Sequence, residues 1–221
     1  MSKLAAVIFD FDGIVFDSET PEFESHRRIY ERCGVDLTFD EWCDQIGVWV
    51  EERDDRWAAH LRERSTSAPE RLAYHAERRR LFLEILPREP MRGIRELLKL
   101  LTDAGVLSAI ASTSSARWVV PAVEALGLRP TFGAIVTGDQ VTCRKPAPDV
   151  YLEAARRLAV NPAHSIAIED SGPGIAAAKA AGMKAIAIPH WLTERQDLSA
   201  ANLRVMHAGE LTLDRLRALV S

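Results

Sequence analysis

Two carboxylates stand one residue apart near the start of the chain, at Asp10 and Asp12, with Gly13 directly after them. They follow the apolar run 4–9, which is typical of a strand buried on both faces. In an extended strand both side chains would point to the same side, and the repulsion would cost on the order of 4 kcal/mol at contact distance with an effective dielectric of about 20. A divalent cation would offset this repulsion, and carboxylate oxygens suit Mg²⁺. A simple Asp-Gly turn is the ordinary alternative.

Other polar residues also follow predicted strands. Ser112 and Thr113 come after the strand predicted at 106–111, and Glu169 and Asp170 follow the strand predicted at 165–168. Lys145 lies in the loop after a third strand, predicted at 134–136. Each has a common alternative, since the serine and the acidic pair could cap helices and the lysine could be solvated. Ligands of parallel sheets bind beyond the carboxyl ends of the strands, so the whole set predicts one site.

These residue types suit phosphoryl transfer. One carboxylate can act as a nucleophile and form an aspartyl-phosphate, which divides a difficult displacement into two easier ones. A second carboxylate can protonate the leaving oxygen and then accept a proton from water. A metal ion and a lysine can stabilise charge on the phosphoryl oxygens, and a hydroxyl with backbone N–H groups at a helix start can complete the phosphate cradle.

Two kinds of pattern along the chain predict its organisation. From Met91 onward helices and strands alternate, which indicates an α/β fold with a doubly wound parallel sheet and right-handed crossovers. From about Thr20 to Leu86 only helical signals occur, including possible capping boxes at 38–41 and 67–70. We therefore predict an α/β core domain from residues 1–17 and 88–221, and a helical domain at 18–87.

The composition excludes several classes of protein. Net charge is −4 and the arginines of 53–80 alternate with acidic residues, so no nucleic-acid partner is expected. Three cysteines without a CxxC pair indicate a reducing compartment, and scattered histidines offer no zinc site. No apolar run could span a bilayer, so we expect a cytoplasmic protein that binds no membrane. We expect a monomer whose partner is a small phosphorylated metabolite.

Four motifs together resemble those of haloacid dehalogenase superfamily phosphatases, in the branch with a helical cap inserted after the first motif. In particular, the chain is similar to the phosphoglycolate phosphatase and β-phosphoglucomutase group. The motifs span the chain in the family's order, at residues 9–13, 111–114, 144–149 and 168–175. The resemblance implies a Rossmann-like core, a cap made of residues 18–87 that closes over the site, and Mg²⁺ as cofactor.

The resemblance also implies a role for each site residue. Asp10 would be the nucleophile, and Asp12 the general acid/base. The residues implied to ligate Mg²⁺ are Asp10, Asp12 through its backbone carbonyl, Glu169 and Asp170. The residues implied to hold the phosphoryl group are Gly13, Ser112, Thr113 and Lys145. Substrate choice would fall to the cap, with the candidates Ser18, Glu22, Gly47, Trp49 and Arg53; Trp49 could equally belong to the cap's own core.

Several activities of the superfamily can be weighed from the residues. Asp12 argues against a dehalogenase, and the absence of lysine between Lys3 and Lys99 argues against a phosphonatase. The mutases carry a histidine and an arginine where this chain, aligned by spacing, has Glu22 and Val50. A phosphatase for a sugar or polyol phosphate is therefore the first choice, and a phosphosugar mutase is the alternative, because Arg53 could replace the missing arginine. A non-catalytic phosphate-binding module is disfavoured, since no catalytic residue is missing.

Overall fold

The computed structural model describes residues 4–43 and 53–220, and for residues 53 and 54 only the backbone is described. The chain divides into two compact units. Met1–Phe16 and Arg88–Ser221 form the first, called the core unit, and Asp17–Pro87 form the second, called the helical unit. The core unit is therefore built from two separate stretches of the chain, with the helical unit inserted between them.

A parallel sheet is the centre of the core unit. The strands found among the described residues are β1 Ala6–Phe9, β2 Leu107–Ala111, β3 Ala134–Val136, β4 Ser165–Glu169, β5 Lys184–Ala187 and β6 Leu203–Arg204. They pair in the order β3-β2-β1-β4-β5-β6, and every pairing is parallel. Because the strand order reverses at β1, the sheet is doubly wound. The predicted fold class is confirmed.

Helices cover this sheet with apolar faces. The helices described in the core unit are α5 Ile94–Asp103, α6 Ala116–Ala125, α7 Asp149–Arg157, α8 Gly172–Ala180 and α9 Leu213–Val220, numbered in chain order after the four of the helical unit. Helix α5 buries Ile94, Leu97, Leu98 and Leu101, which is the spacing of one helix face. Side chains of α7 and α8 join Ala6 and Ile8 of β1 in one buried cluster. The four residues of β1 are all fully buried, as expected for a central parallel strand.

The helical unit contains α1 Glu19–Arg32, α2 Phe39–Cys43, α3 Arg53–Arg64 and α4 Arg71–Ile85 among the described residues. Its core is aromatic: Trp42 and Trp57 stack with ring centroids 5.0 Å apart, and Tyr30 and Tyr74 are fully buried. Thr38 and Glu41 bond to each other's backbone N–H groups at the start of α2, so the predicted capping box is present there.

One prediction of local structure was wrong, and one strand was not predicted. The predicted capping box at 67–70 does not form: α4 begins at Arg71, and Glu70 at its N-cap makes no side-chain cap bond. The Ser67 N–H instead donates to the hydroxyl of Ser65, and Pro69 disfavours a helical conformation for the residue before it. Strand β6 was not predicted, because two residues are too short to show alternation.

Two further observations concern membrane-spanning helices and cysteine pairing. Across residues 4–43 and 53–220 we find no helix with both the length and the apolar character needed to cross a bilayer. Cys33 and Cys143 are free thiols.

Candidate active site

The site begins where three neighbouring strands end. Asp10 directly follows β1, and its N–H continues the ladder by donating to the carbonyl of Ile168. Ser112 follows β2 and extends that strand's pairing by donating to Val136. Glu169 is the last residue of β4. Since β1 lies between β2 and β4 and all three run parallel, these residues meet at one edge of the sheet, where the strand order reverses.

A buried acidic cluster lies at this edge. Asp10, Glu169 and Asp170 are all buried, and each offers a carboxylate oxygen within 4.8 Å of the others. The ammonium of Lys145 contacts Oδ1 of Asp10 and lies 2.6 Å from Oε1 of Glu169. With only 6 % of its side chain exposed, Lys145 is not a solvated loop lysine. The loop that carries Lys145 therefore lies against the carboxyl ends of the strands.

The pKa values of the pair follow from burial and charge. Burial raises the pKa of Asp10 well above its usual value, the neighbouring Glu169 and Asp12 raise it further, and Lys145 opposes them. For Lys145, burial lowers the pKa, but Asp10 and Glu169 outweigh burial and hold the pKa above its usual value. Lys145 therefore stays an ammonium, and an ionised Asp10 requires more positive charge than one lysine supplies.

These residues fit a divalent cation. The cluster's three carboxylates and one ammonium leave a formal charge of −2, which a divalent ion neutralises. The donors are hard oxygen atoms, and their spacing of up to 4.8 Å is about twice the Mg–O distance of ~2.1 Å. The raised pKa of Asp10 indicates the same need for added positive charge.

Tyr151 and Gly174 position Glu169, and neither was predicted. The Tyr151 hydroxyl donates to Oε1 of Glu169 over 2.6 Å, and burial, followed by the charge of Glu169, raises the pKa of Tyr151 well above its usual value. It therefore remains a neutral donor. A Cβ on Gly174 would lie 2.0 Å from the Glu169 carboxylate, so only glycine leaves room for it.

Thr193 and Gly13 both lie against Asp170. The hydroxyl of Thr193 donates to Oδ2 of Asp170 over 3.1 Å, a contact that was not predicted from the sequence. Gly13 has φ +80°, and a Cβ there would lie 2.7 Å from the same oxygen. The N–H of Gly13 donates to the carbonyl of Phe16. Gly13 therefore makes a turn and leaves room for Asp170, and its predicted contact with phosphate stays a prediction.

The Asp12 carboxylate is not among the three acids grouped above as able to hold one ion, although its charge contributes to the raised pKa of Asp10. The expectation that Asp12 shares a side with Asp10 assumed an extended strand, whereas β1 ends at Phe9. Asp12 instead accepts hydrogen bonds from Ser114 Oγ at 2.6 Å and from Trp118 Nε1 at 2.9 Å. Ser112 Oγ, which lies 3.4 Å away, is a weaker third donor. The backbone carbonyl of Asp12, expected to ligate Mg²⁺, stays a prediction.

The predicted phosphoryl-binding residues are partly brought together. Ser112 is buried, and its hydroxyl accepts the N–H of Ser114 over 3.0 Å while facing Asp12. Thr113 is next in the chain and half-buried. Ser112 does not cap α6, because Ser115 is the N-cap residue. A hydroxyl, an acid and a helix start thus adjoin one another, on the side of the strand ends opposite to Glu169.

Some of the predicted substrate-selecting residues are described in the helical unit, and the others are not among the residues that the structure describes. Gly47 and Trp49 are outside the described residues, and Arg53 is described only as the first backbone position of α3. Ser18 is buried, and its carbonyl accepts the N–H of Glu22. The Glu22 carboxylate pairs with Arg78 over 2.8 Å and lies 3.6 Å from His26. The structure tests no substrate contact for any of them.

The core unit is a doubly wound parallel sheet with a cluster of carboxylates and a buried lysine at its switch point. This combination is that of α/β enzymes whose active sites consist mainly of aspartate and glutamate side chains. The sequence model described as "Haloacid dehalogenase-like hydrolase" matches residues 7–188. The chain belongs to this family, and the resemblance drawn from its motifs is confirmed.

Several known relatives span nearly the whole chain. The phosphorylated carbohydrates phosphatase of Thermotoga maritima is 32 % identical and covers 98 % of this chain and 100 % of its own. Hexitol phosphatase B of Escherichia coli O157:H7 is 30 % identical over 95 % of both chains. The β-phosphoglucomutase of Bacillus subtilis is 30 % identical, with 96 % and 94 % covered.

The fold is also found among solved structures. CbbY from Rhodobacter sphaeroides, crystallised in complex with phosphate, superposes with a TM-score of 0.73 at 28 % identity. The match covers 97 % of this chain and 99 % of that one. Both units of the present chain therefore fall within the matched length.

Proposed function

We propose that this protein is a Mg²⁺-dependent phosphatase that hydrolyses small phosphomonoesters through a phosphorylated aspartate. The observation that carries the proposal is the buried Lys145 ammonium between the carboxylates of Asp10 and Glu169. Such an arrangement concentrates charge beside a carboxylate nucleophile, which is what phosphoryl transfer requires. The family membership and the phosphatases among the relatives support the same activity.

Asp10, Glu169 and Asp170 are the residues proposed to hold the metal through their side chains, together with the backbone carbonyl of Asp12. When bound, Mg²⁺ would neutralise charge on the phosphoryl oxygens and orient the ester. Tyr151 and Thr193 fix the orientation of Glu169 and Asp170 through the hydrogen bonds already described. Such supporting bonds preserve the geometry of a metal site.

In the first proposed step, a carboxylate oxygen of Asp10 attacks phosphorus and the bond to the ester oxygen breaks. Asp12 donates its proton to that oxygen, so an alcohol leaves. Lys145, Ser112 and Thr113 bind the phosphoryl oxygens and stabilise their charge. The phosphoryl group is then joined to Asp10 as an acyl phosphate.

In the second proposed step, water attacks the phosphorylated Asp10. Asp12, now ionised, accepts a proton from the water as the new P–O bond forms. The bond between phosphorus and Asp10 breaks, which releases inorganic phosphate and restores the Asp10 carboxylate. Asp12 is again protonated, so the same residue serves both steps.

Metal removal tests the proposed function. The protein treated with a chelator is expected to release phosphate from nitrophenyl phosphate at least about 100-fold more slowly, because the acidic cluster then repels the anionic ester. Adding Mg²⁺ should restore the rate, whereas Ca²⁺ should restore little, because it prefers longer bonds and more ligands. A chelated protein that retains its full rate would show that no metal takes part.

The substrate class is proposed to be sugar or polyol phosphates. The support comes from the relatives named for phosphorylated carbohydrates and hexitols. Within the helical unit, proposed to be the cap that selects substrate, the candidate residue Glu22 has its charge balanced by Arg78. A carboxylate held in this way can accept hydrogen bonds from hydroxyl groups without repelling a phosphate as strongly as an unpaired one.

A hydrolysis screen tests the substrate class. Hexose and hexitol phosphates are expected to show kcat/KM at least about 10-fold above nucleoside monophosphates, because polar groups arranged for hydroxyls discriminate against ligands that cannot pair with them. Phosphoglycolate serves as the small acidic comparison. Nucleotides turned over as fast as hexitol phosphates would contradict the assignment.

A phosphosugar mutase is the second candidate, favoured by the 30 % identity to a β-phosphoglucomutase over 96 % of the chain. The two activities differ in the acceptor of the phosphoryl group, which is a sugar hydroxyl in the mutase and water in the phosphatase. Glucose 1-phosphate supplied with a bisphosphate activator distinguishes them. An isomerised sugar phosphate as the main product, in place of inorganic phosphate, would favour the mutase.

We also propose a cytoplasmic location. The free thiols of Cys33 and Cys143 support it, because unpaired cysteines are typical of reducing compartments.

A further inference from the structure

Both carboxylate oxygens of Asp12 accept a hydrogen bond, but from donors of different kinds. Oδ1 accepts the indole N–H of Trp118 over 2.9 Å. Oδ2 accepts the hydroxyl of Ser114 over 2.6 Å, with Ser112 Oγ at 3.4 Å from the same oxygen. An indole nitrogen can only donate, whereas a hydroxyl can donate or accept by rotating its hydrogen. The two oxygens of Asp12 are therefore chemically unequal.

Packing keeps the Trp118 ring in place. Trp118 lies in the first turn of α6, and its ring centroid is 6.3 Å from that of Phe16. Phe16 in turn stacks on Phe11, with centroids 6.0 Å apart. Asp139 accepts the N–H of Ala116 and so anchors the start of the same helix. The indole N–H is thus a fixed donor, in contrast to a mobile surface group.

We propose that Trp118 is a positioning residue that decides which oxygen of Asp12 carries the catalytic proton. The inference rests on the proposed function, in which Asp12 is the general acid/base. A carboxylic acid places its proton on one oxygen, and the carbonyl oxygen is the better acceptor. The Trp118 N–H therefore keeps Oδ1 as the carbonyl oxygen and assigns the proton to Oδ2.

The consequence for the reaction is a directed proton transfer. In the first step the proton on Oδ2 moves to the ester oxygen as the P–O bond breaks, and in the second step Oδ2 accepts a proton from water. Ser114 can follow both steps, since its hydroxyl donates to an ionised Oδ2 and can accept from a protonated one. Ser112, a proposed phosphoryl ligand, lies on the same side of Asp12. The proton is thus held on the side where the phosphoryl group is proposed to bind.

The variant Trp118→Phe tests this inference, because it keeps an aromatic side chain that can pack near Phe16. It removes the indole N–H together with its five-membered ring; the loss of ring volume is controlled below. Phenyl phosphate has a poor leaving group that needs protonation, whereas dinitrophenyl phosphate has a good one that does not. We expect kcat/KM for phenyl phosphate to fall about 10- to 100-fold, within the range of general acid catalysis. For dinitrophenyl phosphate we expect a change of less than about 3-fold, since the acid contributes little there.

Two controls separate positioning from a general structural effect. Trp191→Phe removes an indole N–H from an exposed tryptophan of the core unit, and both substrates should keep their wild-type rates. In an Asp12→Asn background, Trp118→Phe should cause a further loss of less than about 2-fold, because residues that act as a unit are not additive. Equal losses on both substrates, or a large further loss in the Asp12→Asn background, would overturn the inference.

A spectroscopic measurement does not depend on turnover. Trp118 is one of five tryptophans, so its indole N–H resonance can be resolved by ¹H–¹⁵N NMR and assigned by its loss in the Trp118→Phe spectrum, or by selective labelling if that variant does not fold. Asp12→Asn should move this resonance more than that of Trp191. An unmoved resonance overturns the inference alone. A wild-type protein that releases no phosphate from any ester overturns the proposed function and, with it, this inference.

Discussion

Asp10→Asn is expected to lower the rate of phosphate release by about 10⁴-fold or more, because an amide cannot replace a carboxylate nucleophile. The substitution changes neither the size nor the shape of the side chain. It removes one negative charge from a buried site in which Glu169 and Asp12 already disfavour the Asp10 anion. Stability should therefore not suffer, and the melting temperature without metal should equal or exceed that of the wild type.

The matched control is Asp103→Asn. Asp103 is an exposed carboxylate at the end of α5 that pairs with Lys99 at the surface, and exposed pairs contribute little. Its loss should leave both phosphate release and melting temperature unchanged. If Asp10→Asn retains more than about 1 % of the wild-type rate, a nucleophile other than Asp10 carries the reaction.

Gly174→Ala is expected to damage both folding and activity, although alanine favours helices. In an exposed helix interior this change would stabilise the protein by ~1 kcal/mol. At Gly174, however, the added Cβ would lie 2.0 Å from the Glu169 carboxylate. Glu169 would have to leave Lys145 and Tyr151, so we expect a loss of about 3 kcal/mol in the free energy of unfolding, within the range for a broken buried ion pair.

The same displacement should reduce activity about 100-fold or more, since a proposed metal ligand and the partner of Lys145 move together. Ala176→Gly, the reverse change at an exposed position of the same helix, is the control, and it should cost only ~1 kcal/mol with no loss of activity. Combining Gly174→Ala with Glu169→Asp should recover part of the stability, because the shorter acid leaves space for the methyl group. Denaturant unfolding and phosphate release measure both effects, and a fully stable, active Gly174→Ala would contradict the proposed packing of Glu169.

Much of the fold could be predicted from patterns that are local in the chain. The apolar run before Asp10 and the alternation of strands and helices after Met91 predicted the parallel sheet, because side-chain periodicity reflects burial directly. The predicted strand at 134–136 matches β3, and the four other predicted strands and the core helices differ by only a few residues at their ends. Strand β6 escaped prediction because its pairing depends on β5, not on its own two residues.

The acidic cluster was also predictable, for a topological reason. The carboxyl ends of adjacent parallel strands meet at one edge, so residues that directly follow β1 and β4 must lie close together. Asp10, Glu169 and Asp170 accordingly form the cluster of buried acids. The hydrogen bonds of the Asp12 carboxylate were not predictable, because their donors come from α6 and the segment before it.

The residues that position the catalytic acids could be identified only from the tertiary structure. Trp118 is 106 positions from Asp12, and Tyr151 is 18 positions from Glu169. No periodicity distinguishes such a tryptophan or tyrosine from an ordinary core residue. The residues capable of catalysis could be identified from the sequence, because catalysis depends on functional groups placed at strand ends. The donor that binds each carboxylate oxygen depended on packing between distant segments. A hydrogen bond requires a short distance between donor and acceptor, and these distances are fixed only once the helices pack against the sheet.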